Sequence, residues 1–464
     1  MSKKSTSTHA KIAKIEVTND KITGRGGIFL FLRYIENIGF YRFFEEHFSF
    51  LKGSAKGLSI MQFIKQLFAF FIDGTDLSMS SFDRRKEDKA YAALLENKPN
   101  QMASSHQIKR MFRKFINIDN WVFRFILLRL FLWRLRIEQP EVIVLFGDSV
   151  VFDNNDAEKR QGVNPTYKRK KGFQPLQISW GSYIVDALFR AGDVHCNHGS
   201  DFMKAVGRLV KAIRRKYRDV PIILITDSGF MDDQNFRFFE ERLKIHYLCV
   251  GKLYDDIKEY IQQLPVEHFS RHNQSWNYIE FGNRLKSWDK FRRCIFTTLE
   301  TEEDGQLNLE FTRPDTVIYT NIGQDEILDE KLVLAGGGEW LKAETIIELN
   351  HQRGKCELVH RSEKEFATRE QFPFERLGMN RAYFYFMIIS HFFYEAYKRD
   401  VGYDVLPVVS YPTTFRRVLI DFAVKIITTG GRMIMKVTQD VYDHLKIPEL
   451  WIRSGTPQPI FITK

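Results

Sequence analysis

At Pro140 the chain changes character. Before it, residues 27–136 repeat apolar residues at three- and four-residue spacing and are rich in phenylalanine, a helical pattern. After it, EVIVLFGDSVVF is an unbroken apolar run that reads as a central strand covered on both faces. An acid, Asp148, stands inside that run. Acids are depleted from strands and rarely buried without partners, so the fold must give this carboxylate a counter-charge or a task.

The segments that follow alternate. YKRKKGFQPLQISW and SYIVDALFRAGDV read as two further strands in a meander, the first preceded by four consecutive cations, Lys168, Arg169, Lys170 and Lys171. Residues 200–218 form a helix with a basic side, and IILITDSGF is a strand ending at Asp227. A helix over 233–243 and the strand IHYLCVG complete an order of three strands, helix, strand, helix, strand. Residues 251–340 differ in texture: SWNYIEFGN, RRCIFTTLE, LNLEFTR and TVIYTNI are β-like pieces between charged turns. They read as a β-rich insertion.

Residues 341–366, LKAETIIELNHQRGKCELVHRSEKEF, predict one largely buried helix. At roughly 100° per residue, Asn350, Arg353, Glu357 and Lys364 fall within about 60° of one another. Leu349, Cys356 and Val359 flank this polar strip on one side, Ile347 and Leu358 on the other. Two readings fit: a surface helix with Arg–Glu support at i,i+4, or a buried helix whose strip opens into a cleft and meets a metal or a phosphate.

Lys and Arg number 69 against 58 acids, a net charge of +11, which favours a polyanionic partner. The four cysteines are scattered with no C-x-x-C pair, against a zinc ribbon or a disulfide framework. The opening MSKKSTSTHAKIAK lacks the apolar core of a signal peptide. The apolar stretch 382–397 is too short to span a bilayer comfortably and reads as a buried helix. A cytosolic protein is expected. In SSHQIKRMFRKF, with Ser105 as N-cap, Lys109, Arg110, Arg113 and Lys114 make a basic helix face: either a helix-turn-helix-like DNA reader with the segment before it, or a solvated surface.

Three acids occur in comparable contexts: Asp148 in a central strand, Asp227 at a strand's C-terminal end and Glu357 on the later helix. Three acids with no Cys/His cage suit hard divalent cations, and Mg²⁺ typically takes one or two carboxylates beside substrate phosphates. Two such ions clamp an in-line phosphoryl displacement.

The element order resembles an RNase H-like fold, and the chain resembles the DDE transposases of bacterial insertion sequences that carry a β-strand insertion before the final Glu. The resemblance covers about residues 140–400. Its most specific piece is the family's Y-x2-R-x3-E-x6-K signature, read here as Asn350, Arg353, Glu357 and Lys364. The contexts LFGDSVVF and ILITDSGF match as well. Asn350 replaces the signature tyrosine, which puts any stacking at that position in doubt; Trp276 and Trp288 in the insertion are candidates to stack on an unpaired base, or else core.

The resemblance implies Asp148, Asp227 and Glu357 as catalytic metal ligands for two Mg²⁺ ions, with Mn²⁺ as a substitute, and Arg353 and Lys364 as phosphate contacts. It implies cut-and-paste transposition, with metal-dependent cleavage at element ends and strand transfer, hairpin-ended intermediates, and a homodimer holding two ends. Double-stranded DNA is the expected partner, as terminal inverted repeats and target, in the bacterial cytosol or nucleoid. Asn350, the Lys168–Lys171 run and the 109–113 cations are expected on DNA. Two rivals stand beside it: a stand-alone Mg²⁺-dependent nuclease of the same fold, and a non-catalytic DNA-binding protein derived from a transposase.

The expected organisation is α/β: a basic tail at 1–25, a helical DNA-binding region at 26–138, and an RNase H-like core at 139–250 and 341–400. The β-rich insertion at 251–340 interrupts that core, and a helical C-terminal region occupies 401–464.

Overall fold

A computed structural model describes residues 12, 14–51, 57–273, 276–299, 315–367 and 370–461, the side chains of 355 and 356 aside. The chain opens with a short strand, β1 (Lys21–Thr23), and a run of helices that includes α1 (Gly27–Asn37), α2 (Ile60–Asp73), α3 (Ser105–Arg113) and α4 (Asn120–Glu138). The apolar run after Pro140 forms β2 (Ile143–Ser149), followed by β3 (Leu176–Trp180) and β4 (Tyr183–Leu188). Then come α5 (Asp201–Arg214), β5 (Ile222–Thr226) and β6 (His246–Val250).

β2 pairs antiparallel with β3 and β3 antiparallel with β4; β2, β5 and β6 run parallel. The core order is therefore β4-β3-β2-β5-β6, the RNase H-like arrangement. Crossover helices cover a parallel sheet on both faces, which is why these strands are apolar throughout. On β2, Ile143 and Leu145 join the large core with α4, α5 and the C-terminal helix, while Phe146 faces a second core of Ile223, Ile225 and Leu248.

The β-rich insertion does not stand apart. Its strands β7 (Ser270–His272), β8 (Trp276–Asn283), β9 (Arg292–Leu299) and β10 (Asp315–Thr320) extend the same sheet, because β10 pairs antiparallel with β6 through Ile318↔Val250 and Thr320↔Leu248. The result is one nine-stranded sheet, order β7-β8-β9-β10-β6-β5-β2-β3-β4. The LNLEFTR piece lies outside the described residues.

The single helix expected over 341–366 is two: α6 (Ala343–Gln352) and α7 (Gly354–Lys364), broken at Arg353. Gly354 is the weakest helix former of the segment, costing about 1 kcal/mol relative to Ala, and a Cβ there would meet nothing within 4 Å. No tight helix–sheet contact therefore accounts for this glycine. α6 buries Ile346, Ile347 and Leu349 on the sheet; after the break Val359 is still buried but Leu358 is 50% exposed, so the flank expected through Ile347 and Leu358 ends at the break.

α8 (Leu377–Asp400) is buried on nearly every side, as expected of a helix apolar all round. The N-terminal phenylalanines pack on it, with ring centroids of Phe40 and Phe393 at 4.6 Å and of Phe123 and Tyr385 stacked at 4.7 Å. Among the described residues no helix is long and apolar enough to cross a membrane.

Beyond α8 the expected all-helical region carries a hairpin, β11 (Val424–Thr429) and β12 (Arg432–Lys436), with β1 paired to β11. The residues VKIITT and RMIMK are rich in strand formers, and Gly430 and Gly431, both with positive φ, supply the tight turn such hairpins need. Residues 21–23 of the expected tail are thereby drawn into a sheet.

Candidate active site

β2 and β5 are in register through Gly147↔Thr226, so the next residues, Asp148 and Asp227, stand side by side at the carboxyl ends of adjacent parallel strands. Such strand ends are where ligands bind in open α/β sheets. Gly147 lets a helix come close beside the first acid, since a Cβ there would meet the Phe202 ring of α5 at 2.7 Å.

A cleft of about 1160 Å³ opens over these ends. Asp148, Asp227 and Glu357 line it, together with Asn350, Arg353, Lys364 and Lys168. Glu357 reaches it from α7, on the strip the sequence predicts. The remaining candidates lie elsewhere. Lys170 Nζ donates to Asp153 Oδ2 at 2.8 Å, Lys171 is bonded to Glu158, and Arg169 occupies a left-handed turn position. Lys109, Arg110 and Arg113 are exposed on α3, away from the cleft lining. The N-cap of α3 is Ser104 rather than Ser105; its hydroxyl accepts the Gln107 amide at 3.3 Å, and Ser105 donates to Asp83 instead.

Asp148 is held at both oxygens. Oδ1 accepts the Ser149 amide at 2.6 Å, and His360 Nε2 donates to Oδ2 at 3.3 Å. The other ring nitrogen of His360 lies 3.4 Å from Oε1 of Glu363, a fully buried carboxylate that also accepts two bonds from Gln177 Nε2 at 2.9 and 3.1 Å. Gln177 is itself the cross-strand partner of Asp148. Burial disfavours the His360 imidazolium, but Asp148 and Glu363 outweigh it and push the ring up to about 9. Burial likewise opposes ionisation of Asp148, while His360, the Ser149 amide and Arg353 hold its carboxyl below the usual range.

Asp227 Oδ1 accepts the Gly229 amide at 2.9 Å, capping the turn after β5. Lys364 Nζ donates to Glu370 Oε2 at 2.8 Å, within the same cleft. Partial burial and the charges of Asp148, Asp227, Cys196 and Glu357 push the Tyr167 phenol up to about 12, so one group feels all three acids. Trp276 lines the cleft with its ring 4.8 Å from His351, whereas Trp288 is core, packed on Phe236 and Tyr319.

Sequence reasoning missed His360, Glu363, Gln177, Tyr167 and Glu370. The one available signal was His360 lying three residues after Glu357, one helical turn along the same helix. Among the described residues no three His, Cys, Asp or Glu groups converge as a ready-made metal cage. The donor set is instead an adjacent pair of aspartates, with Glu357 on the helical wall of the same cleft. Hard oxygens in that number fit a Mg²⁺-type ion, which leaves positions for substrate phosphate and water.

Sheet order and acids at the strand ends define an RNase H-like protein. A family model described as "Transposase DDE domain group 1" matches residues 5–446, and the chain belongs to that family. It is a DNA transposase, an enzyme that cleaves and transfers DNA strands, of a family that generally works with divalent metal ions. No curated protein matches the chain. Among solved structures it is similar to the piggyBac transposase synaptic complex with hairpin DNA, at 12% identity and a TM-score of 0.40, over 87% of this chain and 82% of that one.

Proposed function

We propose that the chain is the cut-and-paste transposase of a bacterial insertion sequence, with Asp148, Asp227 and Glu357 as its metal-holding acids. The observation that carries this reading is the sharing of one cleft by these acids and Asn350, Arg353 and Lys364 at the signature spacing. Bound Mg²⁺, two ions in this reading with Mn²⁺ as a substitute, supplies Lewis-acid stabilisation of the attacking and leaving oxygens.

This chain's residues do the rest. Asp148 is kept ionised and fixed in direction by His360 and the Ser149 amide. Arg353 and Lys168 face the incoming phosphates, and Lys364 exchanges the Glu370 carboxylate for a DNA phosphate. Asn350 offers its amide to phosphate or sugar, and Trp276 offers a ring to an unpaired base. Open space at Gly354 admits the DNA backbone.

In the first step water attacks a phosphodiester at the element end and frees a 3′-hydroxyl. That hydroxyl then attacks a phosphodiester of the opposite strand, closing a hairpin, or of target DNA, displacing a 3′-hydroxyl there. The helical region 26–138, with Lys109, Arg110 and Arg113, reads the terminal inverted repeats. Lys168, Arg169, Lys170 and Lys171 hold DNA backbone. A homodimer pairs two ends in the bacterial cytosol or nucleoid.

The test is an end-labelled duplex carrying the repeats that flank the reading frame, incubated with Mg²⁺ and a plasmid target. Wild type is expected to release the end and join it, with Asp148→Ala doing neither. Strand transfer retained by Asp148→Ala would overturn the assignment, and cutting without joining by wild type would make the chain a nuclease.

A further inference from the structure

The β11–β12 hairpin has a face that the proposed chemistry does not use. From Thr428 to Ile434 every residue is exposed, so the end of the hairpin projects beyond the body with both faces in solvent. Its register puts Lys425 opposite Lys436, Ile427 opposite Ile434, and Thr429 opposite Arg432, all on one face by strand alternation. The alternate residues Val424 and Ile426 point the other way, into the core. Residues 424–437 contain three cations and no acid.

Two like charges directly opposite each other in an antiparallel pair are destabilising. Lys425 finds a partner in Asp20 at 2.8 Å, but among the described residues Arg432 and Lys436 meet no acid. Such a face leaves Arg432 and Lys436 open to an anion. Pairing of β12 with a second copy of itself about Ile434 would set Arg432 against the other copy's Lys436, so charge opposes self-association along this edge. The partner that fits is a polyanion, and the chain is already a DNA enzyme.

We propose that this hairpin is a DNA-binding arm, a two-stranded ribbon that lays its Lys425, Arg432, Lys436 face on duplex DNA outside the catalytic cleft, with Ile427 and Ile434 between the cations. The B-DNA major groove, about 12 Å wide, admits a two-stranded ribbon. Gly430 and Gly431 leave the tip without side chains, and a Cβ at either would meet nothing within 4 Å, so the backbone at the turn can come close to phosphate. The contact is with backbone charge and so independent of sequence. It rests on the transposase reading but not on which acids hold metal.

The experiment uses the full chain and a fluorescein-labelled 30-base-pair duplex of arbitrary sequence, with affinity measured by anisotropy across a salt series. Wild type is compared with Arg432→Glu/Lys436→Glu, and with Arg432→Gln/Lys436→Gln, which removes the charge without reversing it. The Gln pair is expected to weaken binding at moderate salt about tenfold and to flatten the log–log salt slope by about 1.8, two phosphates at about 0.9 each. The Glu pair weakens it further, with melting temperature and elution volume unchanged in both. Unchanged affinity and slope would overturn the arm and leave the cations as guards of an exposed sheet edge. A changed elution volume with unchanged affinity would also overturn it, in favour of a protein–protein contact. If wild type failed to bind this duplex at all, the arm would fall, while cleavage and joining of repeat-carrying DNA would still decide the transposase reading.

Discussion

His360 Nε2 sits 3.3 Å from Oδ2 of Asp148 while its Nδ1 sits 3.4 Å from Glu363, so one imidazole joins the first acid of the cleft to a carboxylate sealed in the core. Partners of this kind fix the direction and charge of a metal-binding carboxylate, and losing them typically costs about 10–100-fold in metal affinity or activity. His360→Ala should therefore raise the Mg²⁺ concentration needed for half-maximal cleavage by about that factor. DNA affinity in the absence of metal should not change. An unaltered metal requirement would show that Asp148 does not depend on this ring.

Glu363 and Glu357 are six residues apart on α7 and should behave oppositely. Glu363 is fully buried between His360 and Gln177, and removing one member of a buried charged pair leaves the other uncompensated. Glu363→Ala should lower unfolding stability by about 3 kcal/mol in urea titration. Glu357 is exposed, so Glu357→Ala should change stability by less than about 0.5 kcal/mol. Equal effects would mean that the two acids are not divided between structure and chemistry.

His391 gives the fold an acid limit. Burial, then the charges of Lys398 and His360, depress its ring to about 3, while Ser362 Oγ lies 2.9 Å from its Nε2. An unfolded histidine titrates near about 6.5. Above that pH both states are neutral and the stability is complete. As pH falls from about 6.5 toward 3, only the unfolded chain takes the proton, and stability drops by about 1.4 kcal/mol per unit. His391→Gln should shrink the stability difference between pH 7.5 and pH 5.5 by about 1.4 kcal/mol, read by urea unfolding at both. An identical difference in the variant would rule out His391 as the group responsible.

Gly354 offers a trade between stability and activity. Nothing lies within 4 Å of a Cβ at this position, so Gly354→Ala should stabilise the protein by up to about 1 kcal/mol through helix propensity and a less free unfolded chain. If DNA backbone passes there, the added methyl should slow cleavage while the melting temperature rises. A gain in both would mean that no DNA approaches this point.

What was legible in the sequence was local. The strands bearing Asp148 and Asp227 announce themselves because both their faces are buried, so the apolar run is continuous and an acid within it stands out. The spacing of Arg353, Glu357 and Lys364 survives the break at Arg353, because the helix resumes at once and returns all three side chains to one cleft. The missed features are non-local. Asp148 and His360 are 212 residues apart, and no periodicity predicts their meeting. Joining of the insertion to the core sheet is decided by free hydrogen bonds at the edge of β6, which the sequence of β10 does not encode alone. The β11–β12 hairpin departs from the helical pattern expected over 401–464, and the Gly430-Gly431 pair between two runs of strand formers is the local signal for it.

In the proposed function the three acids of one cleft act together in DNA strand transfer. It is tested most directly by single-turnover joining of a pre-cut 3′-hydroxyl element end to plasmid DNA in Mg²⁺, wild type beside Glu357→Gln. Wild type is expected to give joined product. The variant should bind the same end with unchanged affinity yet join it at least about 100-fold more slowly. Joining by Glu357→Gln at the wild-type rate would contradict it.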